Sequence, residues 1–488
     1  MPKRIFIIAD HGLALIYFLQ SDAIPTLLKA GVEVVFFTDD EARPAIEERF
    51  QQTGLTFEGL RLNECERYFQ TVNPFLQRSL QMLRWVGGSS RINVTAMDGN
   101  YHLLAAGFTG RGRFALPFLR ATIWMMHRSR SLRRFVVRVQ QRYTPNIYAD
   151  LFEKYQPDLV VSRTPGWRMD RYLLREAAAR RIRTAAVIVG WDNPSSYGLS
   201  GAPVDYITCW SEIQKEELIL GADWDPERVH IAGIPSYDGY FNRRWLIPHE
   251  EYFRQHGLDP QRKLLAYACS FETFHPNFPN IAAIVELVNQ DKLVEPCQLL
   301  IRLHPNHFIK GSRFEGEANR VREFIKDMPH VHMVWPVSLG AGLAHYSGED
   351  MPEKASMMAW SDVFLTVYST MVVETAIHDR PIISVTIDTP GGWNMKDVYS
   401  LPLTAIGEWP THLRFRQSGA GRVAGNQEEV RQHVNFYLKN PTADSDKRRK
   451  FIQDECTLTD GSAGRRTGEY LLTLVEGSIQ MKVQDDQT

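Results

Sequence analysis

Short apolar runs rich in β-branched and aromatic residues recur along the chain, each set off from the next by a segment with helical spacing. The first set is KRIFIIAD from Lys3, VEVVFFTD from Val32, PDLVVSRT from Pro157, RTAAVIVG from Arg183, DYITCWS from Asp205 and RVHIAGIP from Arg228. Helical stretches such as IPTLLKAG and MDRYLLREAAARRI lie between them. A strand apolar on both faces and joined to the next through a helix belongs in a parallel sheet covered on both sides. The pattern stops in the polar stretch YDGYFNRRWLIPHEEYFRQHGLDPQR. It restarts with KLLAYACS from Lys263, QLLIRLHP from Gln298, HVHMVWPV from His330, SDVFLTVYS from Ser361 and PIISVTID from Pro381. Two such sets predict an α/β chain of two Rossmann-like, doubly wound domains facing across a cleft. The expected boundaries are a first domain over 1–240 with a helical insertion at about 65–150, a linker over 241–262 and a second domain over 263–425. Helices over 426–475 and a flexible tail over 476–488 complete the expected layout.

Charge is balanced, with 56 Lys+Arg against 57 Asp+Glu, which argues against a nucleic-acid partner. The five cysteines are scattered and form no CxxC pair, so neither a disulfide framework nor a zinc site is expected, and a reducing cytoplasmic setting fits best. The opening MPKRIFIIADHGLALIYFLQ reads as a first strand, because Asp10 and His11 split its apolar stretch; no signal peptide and no transmembrane helix are expected.

One segment departs from this balance. Between Arg111 and Tyr148 stand nine arginines and no acidic residue, interleaved with Phe, Leu, Ile, Trp and Met. Such a pattern suits an amphipathic basic helix lying on an anionic membrane surface or holding a polyanionic acceptor, with Arg111 to Arg142 as the contact. It suits equally a helical insertion whose arginines are solvated or paired elsewhere in the fold.

Doubly wound sheets bind ligands beyond the carboxyl ends of their strands. The residues so placed are Asp10 and His11, Arg163, Trp191-Asp192-Asn193, Ser270, Arg302, His304, His307, and Ser369-Thr370. In QLLIRLHPNHF an imidazole ends the strand and a proline stops the ladder, presenting His304 as a phosphate ligand; Arg302, Lys310 and His307 are neighbouring candidates for stabilising a departing phosphate. In SDVFLTVYSTMVVETAIHDRP the hydroxyls of Ser369 and Thr370 fall where a strand turns into a helix, a place for an anion site or simply a helix cap. Glu374 lies one helical turn on, where a carboxylate could accept from ribose hydroxyls. Asp10, His11 and Asp192 are candidates for the base that takes the acceptor's proton, with Trp191, Asn193 and Arg163 beside the acceptor. Trp191 could equally be packing and Asp192-Asn193 a turn.

The HP dipeptide followed by S-D-V-F-L-T-x-Y-S-T-x-x-x-E-x-A-x-x-x-R-P resembles the C-terminal donor domain of GT-B-fold glycosyltransferases. It is most similar to the CDP-glycerol glycerophosphotransferase group and to the bacterial sialyl- and Kdo-transferases. Their usual pattern is D-x-x-x-T-D-x-S-S-x-x-x-E; here Val367 stands at the second acidic position and Thr370 at the second Ser. GWDNPSSYG is similar to an S-W-D-N-x-T-S-x-G segment of GT-B proteins from surface-polysaccharide loci. The resemblance spans about 157 to 395. It implies His304, Ser369 and Thr370 on the donor phosphates, Glu374 near the ribose and no obligatory metal or other cofactor.

The expected activity is therefore transfer of a sugar or glycerol-phosphate group from a nucleotide-activated donor to a hydroxyl of a surface polysaccharide or lipid-linked acceptor. The resemblance favours a cytidine donor, with UDP as the alternative, and a cytoplasmic protein, peripheral at the inner membrane face if the basic segment touches it. Two other readings stay open. One is an isomerase like the UDP-N-acetylglucosamine 2-epimerases, although their S-G-G-x-x-x-E-A segment is replaced here by Ser-Thr-Met. The other is a catalytically inactive GT-B subunit acting as a scaffold.

Overall fold

The computed structural model describes residues 2–10, 12–270, 274–308, 313–337, 348–389, 392–393 and 399–485. The chain divides into two compact units, Met1–Asp238 with Cys456–Thr488, and Gly239–Glu455.

The first unit holds seven strands: β1 (Arg4–Ile8), β2 (Glu33–Thr38), β3 (Leu55–Gly59), β4 (Leu159–Ser162), β5 (Arg183–Val187), β6 (Tyr206–Cys209) and β7 (Val229–Ile231). They pair in parallel in the order β3-β2-β1-β4-β5-β6-β7. The central strands are buried and mostly apolar: every residue of β4 is buried, and Ile5 to Ile8 of β1 are fully covered. Burial of both faces is what makes these runs legible as parallel strands. The order reverses between β1 and β4, so the switch point falls at their carboxyl ends.

The second unit repeats the plan with six strands: β8 (Lys263–Ala268), β9 (Cys297–Arg302), β10 (Val331–Val334), β11 (Val363–Thr366), β12 (Ile382–Val385) and β13 (Arg422–Ala424). These pair in parallel in the order β10-β9-β8-β11-β12-β13, with the reversal between β8 and β11. Leu265, Tyr267, Leu299, Ile301, Val363 and Leu365 pack with the helices Phe278–Asn289 and Gln427–Lys439 into one apolar core.

Two parts of the chain lie elsewhere than the spacing of apolar runs suggested. Residues 241–262, expected as a linker, belong to the second unit. Their helix His249–Gln255 buries Tyr252 and Phe253, and Tyr252 donates to Glu353 at 3.1 Å. The terminal helix Ala463–Asp485 returns to the first unit. Asp238 accepts from the backbone amides of Ala463 and Gly464 at 2.9 and 2.8 Å, capping the first turn with a buried carboxylate. Tyr470 stacks on His230 of β7 at 4.0 Å, and Gly468 sits so near Thr26 that a Cβ there would lie 2.7 Å from the threonine Cβ.

Between β3 and β4 comes a helical insertion: Leu62–Thr71, Pro74–Val86, Val94–Ala105, Leu116–Met126 and Arg130–Gln140. It has its own apolar core around Leu80, Leu83, Met97, Ile123, Met126 and Val136. The arginine-rich stretch lies here, and its arginines divide. Arg133 is buried and bonds Asp223 through two nitrogens at 2.7 and 2.9 Å, so it ties the insertion to the end of the helix Glu212–Ala222. The other eight are exposed, beside Phe114, Phe118, Trp124 and Phe135, which are between 59% and 78% exposed. No helix among the described residues is long and apolar enough to cross a membrane.

Candidate functional site

At the switch point of the second sheet, the ends of β8, β9 and β11 gather Ser270, His304, Ser369 and Thr370, together with Glu374 from the helix Met371–Ile377. The Ser270 peptide is clamped by Asn277, whose side chain accepts from its N–H at 3.1 Å and donates to its carbonyl at 3.2 Å.

His304 ends β9 with its ring half-buried. Its Nδ1 accepts from the Asn306 N–H at 3.1 Å, which leaves the proton of the neutral ring on Nε2. Burial, then His307, Lys354 and Arg302, push the imidazole down to about 3, so at neutral pH it is an uncharged donor. Lys354, on the helix Met351–Trp360, has its ammonium 2.6 Å from Glu374 Oε2, and Tyr240 donates to that same oxygen at 2.8 Å. The site thus holds a neutral imidazole N–H and an ammonium at the end of one sheet. Lys354 was not among the sequence candidates. It lies inside a helix, where no strand-end rule points to it, and only the fold brings it to His304.

Two residues expected on the phosphate are committed elsewhere. Arg302 is buried, with its guanidinium bonded to Asp350 and Glu353. His307 donates through Nε2 to the buried Glu317 at 3.0 Å and accepts the His304 N–H at 3.1 Å through Nδ1. Glu317 also accepts from the Phe278 N–H at 2.8 Å. Both side chains are structural posts beneath the strand end rather than groups facing a ligand. Glu374, expected at a ribose, is buried and engaged by Lys354 and Tyr240.

The turn after β11 is held by force. Tyr368 sits at φ +33°, a region costly for an aromatic residue. It is kept there by stacking on His412 at 4.7 Å, by a bond from its N–H to Ser384 Oγ at 3.2 Å, and by Gly407, where a Cβ would meet the phenol oxygen at 2.2 Å. Ser369 Oγ, one residue before the helix N-cap, accepts from the Met371 N–H at 3.3 Å. Thr370, at the N-cap position, makes no side-chain cap bond. Val367 is buried against Phe274, Leu403 and Ile406, an apolar setting for the position where the related pattern has an acid.

At the switch point of the first sheet, Asp10 after β1 and Arg163 after β4 form one buried ion pair. A carboxylate held by a guanidinium is a weak base. His11, like Lys310 of the second unit, lies outside the described residues. After β5, the segment 190–193 divides its labour. Gly190 leaves room for the Asn193 side chain, which a Cβ would approach to 2.5 Å, and its N–H donates to Asn193 Oδ1 at 2.9 Å. Trp191 is 1% exposed and packs inside the fold, so it does not face an acceptor. The carboxyl of Asp192 is pushed up by burial against the pull of its own amide and the Ser196 hydroxyl.

Two units of parallel β/α architecture, each with the order reversal of a nucleotide-binding sheet, define a GT-B-type protein. Among solved structures, the UDP-GlcNAc 2-epimerase of Neisseria meningitidis bound to UDP-GlcNAc matches with a TM-score of 0.50 at 10% identity, covering 97% of this chain and 100% of that one. The UDP-GlcNAc 2-epimerase of Methanocaldococcus jannaschii matches with 0.51 at 12% identity, over 97% and 100%. The S. aureus MnaA-UDP structure matches with 0.51 at 11% identity, over 97% and 97%. Likeness at this identity establishes the fold alone. No curated protein sequence matches the chain. The profile of the family CDP-Glycerol:Poly(glycerophosphate) glycerophosphotransferase matches residues 202–473, more than half of the chain, and the chain belongs to that family. It is a transferase that works from a nucleotide-activated donor.

Proposed function

We propose that the chain transfers glycerol phosphate from CDP-glycerol to a hydroxyl of a glycerophosphate-type polymer or lipid-linked acceptor. The acceptor oxygen bonds to the phosphorus that carries glycerol, the bridging P–O bond to CMP breaks, and the hydroxyl proton passes to a base. The observation that carries this reading is the pairing of the neutral His304 N–H with the Lys354 ammonium at the end of the second sheet. An uncharged donor and a compact cation suit a diphosphate whose negative charge grows on the leaving side. Ser270, Ser369 and Thr370 are the hydroxyls nearest that strand end, and Glu374 orients Lys354. For the base, Asp192 is the candidate in the first unit that we favour over Asp10, which is held by Arg163, with His11 the alternative. No metal is assigned a role.

The eight exposed arginines and the exposed Phe114, Phe118, Trp124 and Phe135 support contact with an anionic membrane face, where aromatic rings enter the headgroup region and guanidinium groups meet phosphates. A peripheral location at the inner face follows from the same reading.

The test is isothermal calorimetry with CDP and UDP, followed by turnover of CDP-glycerol by His304→Ala. Selective binding of CDP and a loss of at least a hundredfold in kcat with the fold intact are expected. Wild-type turnover in His304→Ala would remove the imidazole from the mechanism.

A further inference from the structure

Three arginines meet inside the first unit. Arg84 comes from the helix Pro74–Val86, and Arg171 and Arg175 from the helix Asp170–Ala179. All three are buried, Arg84 completely. Among the described residues no carboxylate bonds any of them. The nearest acid is Asp170, and its oxygens accept from Ser162, Thr164 and the Arg168 N–H.

The three differ in what they bond. Arg175 donates to the carbonyls of Gly201 and Tyr143 at 2.8 and 3.1 Å and to Gln140 Oε1 at 3.2 Å. Arg171 donates to the Arg168 carbonyl at 2.7 Å and lies over the Phe69 and Tyr172 rings. Arg84 makes one bond, from Nη2 to the Trp167 carbonyl at 3.0 Å, while its Nε and Nη1 have no partner. The Nε2 of Gln140 is also buried without a partner. These groups line a narrow pocket that opens to solvent, with Gln77 and Tyr143 on its wall.

A guanidinium does not give up its proton, so clustered buried guanidinium groups need a counter-charge. Every orphaned group here, Arg84 Nε, Arg84 Nη1 and Gln140 Nε2, is a donor. The missing partner is therefore an acceptor with several oxygens and a negative charge, and a guanidinium fork matches a phosphate group in particular. We propose that the Arg84–Arg171–Arg175 pocket is a binding site for a phosphate group, separate from the donor site of the second unit. The phosphate comes from free solution or from the headgroup of an anionic lipid, since the same insertion carries the exposed aromatic residues.

The experiment is thermal unfolding of the full chain at constant ionic strength, with chloride exchanged for inorganic phosphate. At about a hundred times Kd a Tm rise of roughly 5 °C is expected for the wild type. Arg84→Gln loses that rise, and without phosphate it melts at or above the wild type because a buried charge has gone. Gln140→Ala keeps all three arginines and weakens the response several-fold, which guards against misfolding of the first variant. Lys354→Met, altered only in the second unit, keeps it. Flotation with phosphatidylglycerol and phosphatidylcholine vesicles separates the sources. Arg84-dependent binding to the anionic vesicles alone identifies a headgroup, and a response to inorganic phosphate without it identifies a free anion. A phosphate response unchanged in Arg84→Gln and Gln140→Ala, or no Arg84-dependent response to either probe, overturns the proposal.

Discussion

Lys354 and Glu374 make a pair whose structural and functional roles can be separated by substitution. Their side chains are 15% and 6% exposed, with 2.6 Å between ammonium and carboxylate. Lys354→Met removes the ammonium from a buried carboxylate that also accepts from the Tyr240 hydroxyl. Removing one partner of a buried pair costs about 3–5 kcal/mol, and the residual exposure of the lysine places this case near the lower figure, about 3 kcal/mol. Glu374→Gln strands the ammonium, which can turn toward water, at about 2 kcal/mol. The double variant has neither charge, and its amide oxygen still accepts from Tyr240, so it should fall within about 1 kcal/mol of the wild type, a coupling of about 4 kcal/mol. Urea unfolding followed by tryptophan fluorescence reads the stabilities, and calorimetry with CDP reads the site. The expected result is a double variant that recovers stability yet binds CDP at least tenfold more weakly. Wild-type affinity in the double variant would make Lys354 a purely structural cation. Single variants costing under about 1 kcal/mol would refute the claim that the pair is desolvated.

Asp192→Asn should lower kcat by about a hundredfold. Because burial raises this carboxyl and a base must be ionised to act, the wild-type rate should fall on the acid side through a pKa above that of a free aspartate, a limb absent in the variant's residual activity. The rings of His304 and His412 are pushed down to about 3 and that of His378 to about 4 by burial, with neighbouring cations adding to it. A depressed folded pKa gives stability that is present above about 6.5 and is lost as pH falls toward 3, by up to about 1.4 kcal/mol per pH unit for each ring. Chemical unfolding of the second unit between pH 7 and 4.5 should show it, and His412→Phe, which keeps the stacking on Tyr368, should remove about one proton from the slope. Asp238→Ala should cost about 2–3 kcal/mol, because two amides of the returning helix lose a buried acceptor; an unchanged urea midpoint for the first unit would contradict this.

Among the described residues, eleven of the thirteen strands stand out in the sequence as short apolar runs set between segments of helical spacing. The two that do not, β3 and β13, are edge strands, each with one neighbour: LTFEG alternates buried and exposed residues, and RVA is three residues long. The strand-end rule places His304, Ser369, Thr370, Asp10 and Arg163 after strands, as the fold does, since a position after a strand is legible once the strand is. It could not tell a ligand-facing group from a post: Arg302 and His307 satisfy the same rule, and only Asp350, Glu353 and Glu317 reveal their commitments. Lys354 and Arg84 were invisible for a related reason. Each lies within a helix, and its significance depends on which far residue it meets or fails to meet.

The return of residues 456–485 to the first unit bears on the order in which the polypeptide can acquire structure. On a ribosome the second unit is continuous and can close as soon as its own residues have emerged. The first unit has its seven strands in hand by residue 231, yet the helix that covers Ala23–Lys29 and stacks on His230 emerges only after more than two hundred further residues. At a synthesis rate of about 5–20 residues per second, that leaves the sheet waiting for tens of seconds with one helix missing and an apolar face uncovered. Such an interval favours a chaperone that holds the first unit open while the second folds, and makes the nascent chain more prone to aggregate than the finished protein.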